Sequence, residues 1–113
     1  MRDRIVWTDG ARWGADDASF GALRRQLDGL RDSVMGLDPV LDRWPADGAA
    51  TSIDEIAPSE ADRAVLTAAT LRALDEVEGL SDASLGLEGE APRRRYTAAL
   101  GELAALMQTD VTW

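Results

Sequence analysis

The chain of 113 residues carries 12 basic and 21 acidic residues, for a net charge of −9, and contains neither cysteine nor histidine. All its basic residues are arginine. This composition excludes disulfides, thiolate sites, imidazole acid–base catalysis, lysine Schiff bases and the lysine grip of a phosphate-binding loop. The charge disfavours direct binding to nucleic acid or anionic membrane, both polyanions, and favours a basic protein partner. At this length, with 45% hydrophobic residues, a single domain spanning residues 1–113 is expected. The abundance of Ala, Gly, Asp and Leu beside an all-arginine basic set is that of a GC-rich bacterial genome. Met1-Arg2-Asp3-Arg4 lacks the apolar core of a secretion signal, and no run approaches the ~20 apolar residues of a membrane span. A cytoplasmic protein is expected.

Residues 4–13 place β-branched and aromatic residues on both sides of Asp9-Gly10, a dipeptide suited to a tight hairpin. Asp110-Val111-Thr112-Trp113 has similar character, so the two chain ends are expected to meet in a small sheet. From Ser19 to Leu37, Phe20, Leu23, Leu27, Leu30, Val34 and Leu37 recur at steps of three and four, which predicts an amphipathic helix capped by Asp17 or Ser19. Gly36 ends that run, and Asp38-Pro39 restarts a short helix from Val40 to Trp44 that Pro45 stops. Residues 46–58, rich in Ala, Asp, Gly and Pro, read as a mobile loop anchored by Ile53 and Ile56.

Ser59, with Asp62 three residues on, is the cap of a second long helix running to about Glu78, with Gly79 as its C′ residue. Leu80, Leu85 and Leu87 tuck a following loop onto the core. A third helix begins after Ala91-Pro92 and runs to about Gln108, burying Tyr96, Leu100, Leu103, Leu106 and Met107. The expected fold is mostly α: a small antiparallel three-helix bundle with a short β-hairpin or a strand pair formed by the chain termini.

Three features stand out as partner-binding candidates. Asp47, Asp54, Glu55, Glu60 and Asp62 form an acidic stretch without an intervening base, placed to meet a cationic surface. Arg93, Arg94 and Arg95 oppose the dipole at a helix start, so they require acids nearby, for which Asp75, Glu76 and Glu78 are the expected source, or else a carboxylate- or phosphate-bearing partner. Trp44, like Trp7, Trp13 and Trp113, lies outside the periodic faces and either covers an end of the core or serves as an interface anchor.

No nucleophile elbow, triad, glycine-rich phosphate loop or D-x-D-x-D-G cation loop occurs, so no catalytic residue, metal site or cofactor is expected. The function expected is a non-enzymatic, acidic protein-binding module, an inhibitor or adaptor of the immunity-protein or antitoxin kind, directed at a basic partner. The alternative is an accessory or self-associating helical subunit of a larger complex.

Overall fold

A computed structural model of the protein describes residues 2–110. Among these the chain is mostly helical, with six α-helices and one three-stranded sheet. The expected β-hairpin is formed by β1 (Arg2–Val6) and β2 (Arg12–Ala15). Its loop is Thr8-Asp9-Gly10: the Gly10 N–H donates to Trp7 O at 3.0 Å, and the Trp7 N–H to Ala11 O at 2.9 Å. Gly10 alone of these residues takes a positive φ, +92°, which is the geometry of a turn closed by a glycine bulge. The Asp9 carboxylate accepts from the Ala11 N–H at 2.9 Å and fixes the loop.

The β1–β2 register slips between Asp3 and Ile5, so Arg4 is an extra residue bulged out of the ladder. Regular alternation would send Arg4 and Ile5 to opposite faces. Here both are buried, at 1% and 0% exposure. The Arg4 guanidinium donates from Nε to Ala15 O (3.0 Å), and from its two terminal nitrogens to Gly48 O (2.8 Å) and Asp17 Oδ1 (2.7 Å). It also lies 4.8 Å from the Phe20 ring centre.

Among the described residues the sheet has a third strand that the sequence does not mark, and Asp110, expected to open a C-terminal strand, ends the last helix. The third strand is β3 (Thr51–Ser52), which pairs parallel to β1 through Ile5 and Val6 to give the order β2-β1-β3. Residues 111–113, expected to pair with the N-terminal strand, lie outside the described residues. Residues 51–56 of the segment read as a mobile loop are therefore a strand and a helical turn, while the residues on either side stay irregular. Ser52 ends the strand and caps α3 (Ile53–Ile56), its Oγ accepting from the Asp54 N–H at 3.2 Å. Ile53 and Ile56, three apart, fall on one side of that single turn, and both are fully buried.

The first long helix, α1 (Asp17–Gly29), is shorter than the apolar period predicts. Glycine weakens a helix by roughly 1 kcal/mol relative to alanine. At Gly29 the chain leaves the α-helix, with the Leu30 N–H reaching both Leu27 O and Asp28 O. Successive turns follow, Ser33 N–H to Leu30 O at 3.0 Å and Leu37 N–H to Val34 O at 3.2 Å. These turns keep Leu30 and Leu37 buried, so the period survives although the helix does not. Arg31 pins the segment by reaching Asp28 at 3.0 Å, Asp42 at 3.3 Å and Asp38. The cap of α1 is Asp16, one residue before the expected Asp17, and it accepts from the Ser19 N–H at 2.7 Å.

The short helix α2 (Leu37–Arg43) follows Gly36, and α4 (Glu60–Glu76) starts at the expected Ser59 cap, whose Oγ accepts from the Asp62 N–H at 3.0 Å. Gly79 is not a left-handed C′ residue; α4 instead tightens into a 3-10 turn, Val77–Gly79. A further turn, α5 (Asp82–Leu85), is closed by Gly86 at φ +70° and buries Leu85 and Leu87 as expected. Leu80 is half-buried. The last helix is α6 (Glu90–Asp110), with Tyr96, Leu100, Leu103 and Met107 inside.

The three long helices α1, α4 and α6 pack pairwise. At their centre Gln26 of α1 donates to Ala73 O of α4 at 3.0 Å and accepts from the Tyr96 hydroxyl of α6. Burial pushes the Tyr96 phenol up from its ordinary pKa. Trp13 ties the sheet to α6 by donating to Ala99 O at 2.8 Å. Tyr96→Phe would leave the buried Gln26 carbonyl without its donor, and a buried unsatisfied polar group costs about 1–3 kcal/mol. Urea unfolding of Tyr96→Phe should therefore show a loss in that range with an unchanged slope.

Candidate functional site

The acidic stretch gathers where β3, α3 and the start of α4 meet. Its backbone is held by two arginines. Arg43, from α2, reaches Ile56 O at 3.4 Å and Asp62 Oδ2 at 3.1 Å. Arg63, the residue after the stretch, donates from Nε to Ala57 O at 3.0 Å and also engages the Asp54 carboxylate. These arginines clamp the junction between α3 and α4 and neutralise Asp54 and Asp62.

Asp47, Glu55 and Glu60 remain exposed with no arginine partner among the described residues. Asp47 accepts from the Ala49 N–H at 3.0 Å, which shapes the preceding turn. Glu55 accepts from Thr51 Oγ1 at 2.8 Å, which holds the carboxylate against β3. Glu60 occupies the first position of α4, where the helix dipole favours an acid. Two of the five acids, Asp54 and Asp62, are thus paired with arginine, and the other three keep their charge exposed.

The arginine cluster is compensated, though not by the acids expected. Arg93 pairs with Asp82 at 2.9 Å and donates to Val77 O at 2.6 Å. Arg94 pairs with Glu90 one turn back at 2.7 Å, and Arg95 reaches Asp16 at 3.1 Å. None of the three pairs with Asp75, Glu76 or Glu78. The short helix α5, which composition did not reveal, supplies Asp82 and separates the two clusters. The cluster joins α6 to α5 and to the start of α1.

Trp44 is not an exposed anchor, being 2% exposed. Its ring meets Phe20 edge-on, with centres 5.7 Å apart and planes at 76°, and the Arg24 guanidinium lies 6.0 Å from its centre. Trp7 and Trp13 are buried as well, so these three tryptophans serve the core; Trp113 lies outside the described residues. The Trp7 and Trp44 indole N–H groups have no acceptor among the described residues. Among the described residues no group of three or more acidic side chains is arranged to hold a metal ion. No described helix is long and apolar enough to cross a membrane.

The Asp16 cap of α1 couples the stability of the fold to pH. The Ser19 backbone N–H, with help from the Ser19 hydroxyl and Arg95, holds the Asp16 carboxyl below its ordinary value of 3.8. A carboxylate lowered on folding contributes stability above its unfolded pKa and loses it as pH falls through the folded value. Asp16→Asn, which keeps a cap but no charge, should flatten the loss of stability in acid below 3.8. Asp16→Ala should cost about 0.5–2 kcal/mol at neutral pH. Thermal unfolding across that pH window measures both.

In comparisons with known proteins, no family model, no curated protein and no solved structure matches this chain.

Proposed function

We propose that the protein is a non-enzymatic, acidic protein-binding module that inhibits a basic protein partner or couples it to another component, with α1, α4 and α6 as an antiparallel three-helix scaffold. The observation that carries this reading is the set of exposed, unpaired carboxylates of Asp47, Glu55 and Glu60 on a segment clamped by Arg43 and Arg63. A clamped surface pays little ordering entropy on binding, and like charges on it attract and orient a cationic partner. The Arg93–Arg95 cluster offers no competing positive patch, because each guanidinium already faces a carboxylate. The net charge of −9 extends the same attraction over the whole molecule.

An accessory or self-associating subunit would need an apolar face. The one large apolar side chain that stands fully out among the described residues is Met35, 94% exposed, in the turn after α1. Val65, Leu71 and Leu74 of α4 are only partly exposed. Recognition by charge is therefore the better-supported reading.

The test is capture of the tagged protein's partner from lysate of the source organism, at low and high salt, followed by kinetics with the purified partner. The triple variant Asp47→Asn, Glu55→Gln and Glu60→Gln should slow association roughly tenfold or more at low ionic strength, while its circular-dichroism spectrum stays that of the folded protein. A salt-resistant assembly indifferent to this variant but broken by Leu71→Asp, in a protein that still folds, would replace the proposal with the accessory-subunit reading. Leu27→Asp cannot serve in that role, because Leu27 is fully buried.

A further inference from the structure

A cleft of about 290 Å³ opens between the C-terminal half of α1, the end of α4 and the α5 segment, away from the acidic stretch. Arg25, Gln26, Leu30, Glu76, Leu80 and Ser84 line it. Arg25 is the one guanidinium among the described residues that has neither a carboxylate nor a hydrogen-bond acceptor. A Cβ on Gly86 would lie 2.8 Å from Arg25 Nε and 3.0 Å from Cζ, so the guanidinium rests against a left-handed glycine that no side chain separates from it.

Beside it, the 7%-exposed Gln26 amide commits one hydrogen to Ala73 O and has no protein acceptor for the other. Ser84 adds a hydroxyl, shared with Ser81 at 2.9 Å. These groups form a donor set for a carboxylate. Across the cleft Glu76 is engaged by Arg72 through Oε1 at 3.1 Å, while its second oxygen takes no hydrogen bond among the described residues. Glu76 and Gly29 also sit at the C-terminal ends of α4 and α1, where the helix dipoles favour positive charge.

A bare anion would meet Glu76 and the two dipoles, and a bare cation would meet Arg25. A molecule carrying both charges satisfies both sides, and Leu30 and Leu80 supply an apolar wall. The volume lies at the low end of the roughly 300–1,000 Å³ typical of ligand pockets, which suits an amino acid better than a nucleotide. We infer that this cleft binds a small zwitterion, an aliphatic α-amino acid, with its carboxylate on Arg25 and Gln26 and its ammonium on Glu76. The site is independent of the protein-binding role proposed above.

Amide-resolved NMR titration with L-leucine and L-valine, and with isovalerate and 3-methylbutylamine as single-charge probes, tests it. The amino acids should give saturable shifts at Gln26, Gly29, Leu80 and Ser84. Arg25→Gln should weaken the amino acids and isovalerate by about tenfold or more and spare the amine. Glu76→Gln should weaken the amino acids and the amine by a similar factor and spare isovalerate. Both changes fall at exposed side chains, and unchanged spectra away from the cleft report that each variant is folded. No saturable response to either amino acid, or any departure from the crossed pattern, overturns the inference.

Discussion

A charged side chain enters a small core only when its donors are met, because removing it from water otherwise costs several kcal/mol. Arg4 meets that condition by joining three parts of the chain: the end of β2 at Ala15, the first residue of α1 at Asp17 and the approach to β3 at Gly48. The bulge in β1 makes this possible by turning Arg4 to the face that Ile5 already occupies. Gly48 is required in turn, since a Cβ there would fall 2.0 Å from an Arg4 terminal nitrogen at a φ of +76°. The parallel pairing of β1 with β3, and with it the folded acidic segment, depends on this one guanidinium. A lysine would supply a single charged head in place of the planar fork that reaches three acceptors.

The long helices are keyed in a related way. Apolar packing alone tolerates sliding and rotation, whereas a buried hydrogen bond is satisfied in one register. Gln26 meets both Ala73 O and Tyr96, so one side chain fixes α1 against α4 and α6 together. Trp13 sets the sheet against α6 by the same means. The clamps of Arg43 and Arg63, and the contact of Arg93 with Val77 O, repeat the theme nearer the surface. In a protein with no lysine, the forked geometry of arginine lets Arg4, Arg43, Arg63 and Arg93 each hold a backbone carbonyl and a carboxylate at once.

Much of this was legible in the sequence where local chemistry decides the outcome. Asp9-Gly10 marks the hairpin, Ser59 with Asp62 marks the start of α4, and the apolar period finds the buried residues of α1 and α6. What escaped depends on partners distant in the chain. Thr51-Ser52 is a strand only because β1 lies beside it, and Arg4 reads as a solvated terminal charge until the bulge is seen. Trp44 has no periodic context to mark it as buried, and its neighbour Phe20 is more than twenty residues away. The acids that compensate Arg93–Arg95 were misassigned because charge proximity along the chain ignores α5. The acidic stretch itself was legible, but not that Arg43 and Arg63 pair with Asp62 and Asp54 and leave the other three without an arginine among the described residues. The Arg25 cleft gives no linear signal, since α1, α4 and α5 each contribute to it.

The brevity of β3 bears on how the molecule meets other chains. A sheet edge with unpaired N–H and C=O groups is a template on which a foreign strand can add, and natural proteins keep such edges short or charged. Here one outer edge lasts two residues before Ser52 turns the chain into α3, and the other, β2, opens with the exposed Arg12. Strand addition, whether as a route to fibrils or as a mode of recognition, has too little backbone to work with. What the described residues offer at their surface is therefore mostly side chains rather than unpaired strand backbone.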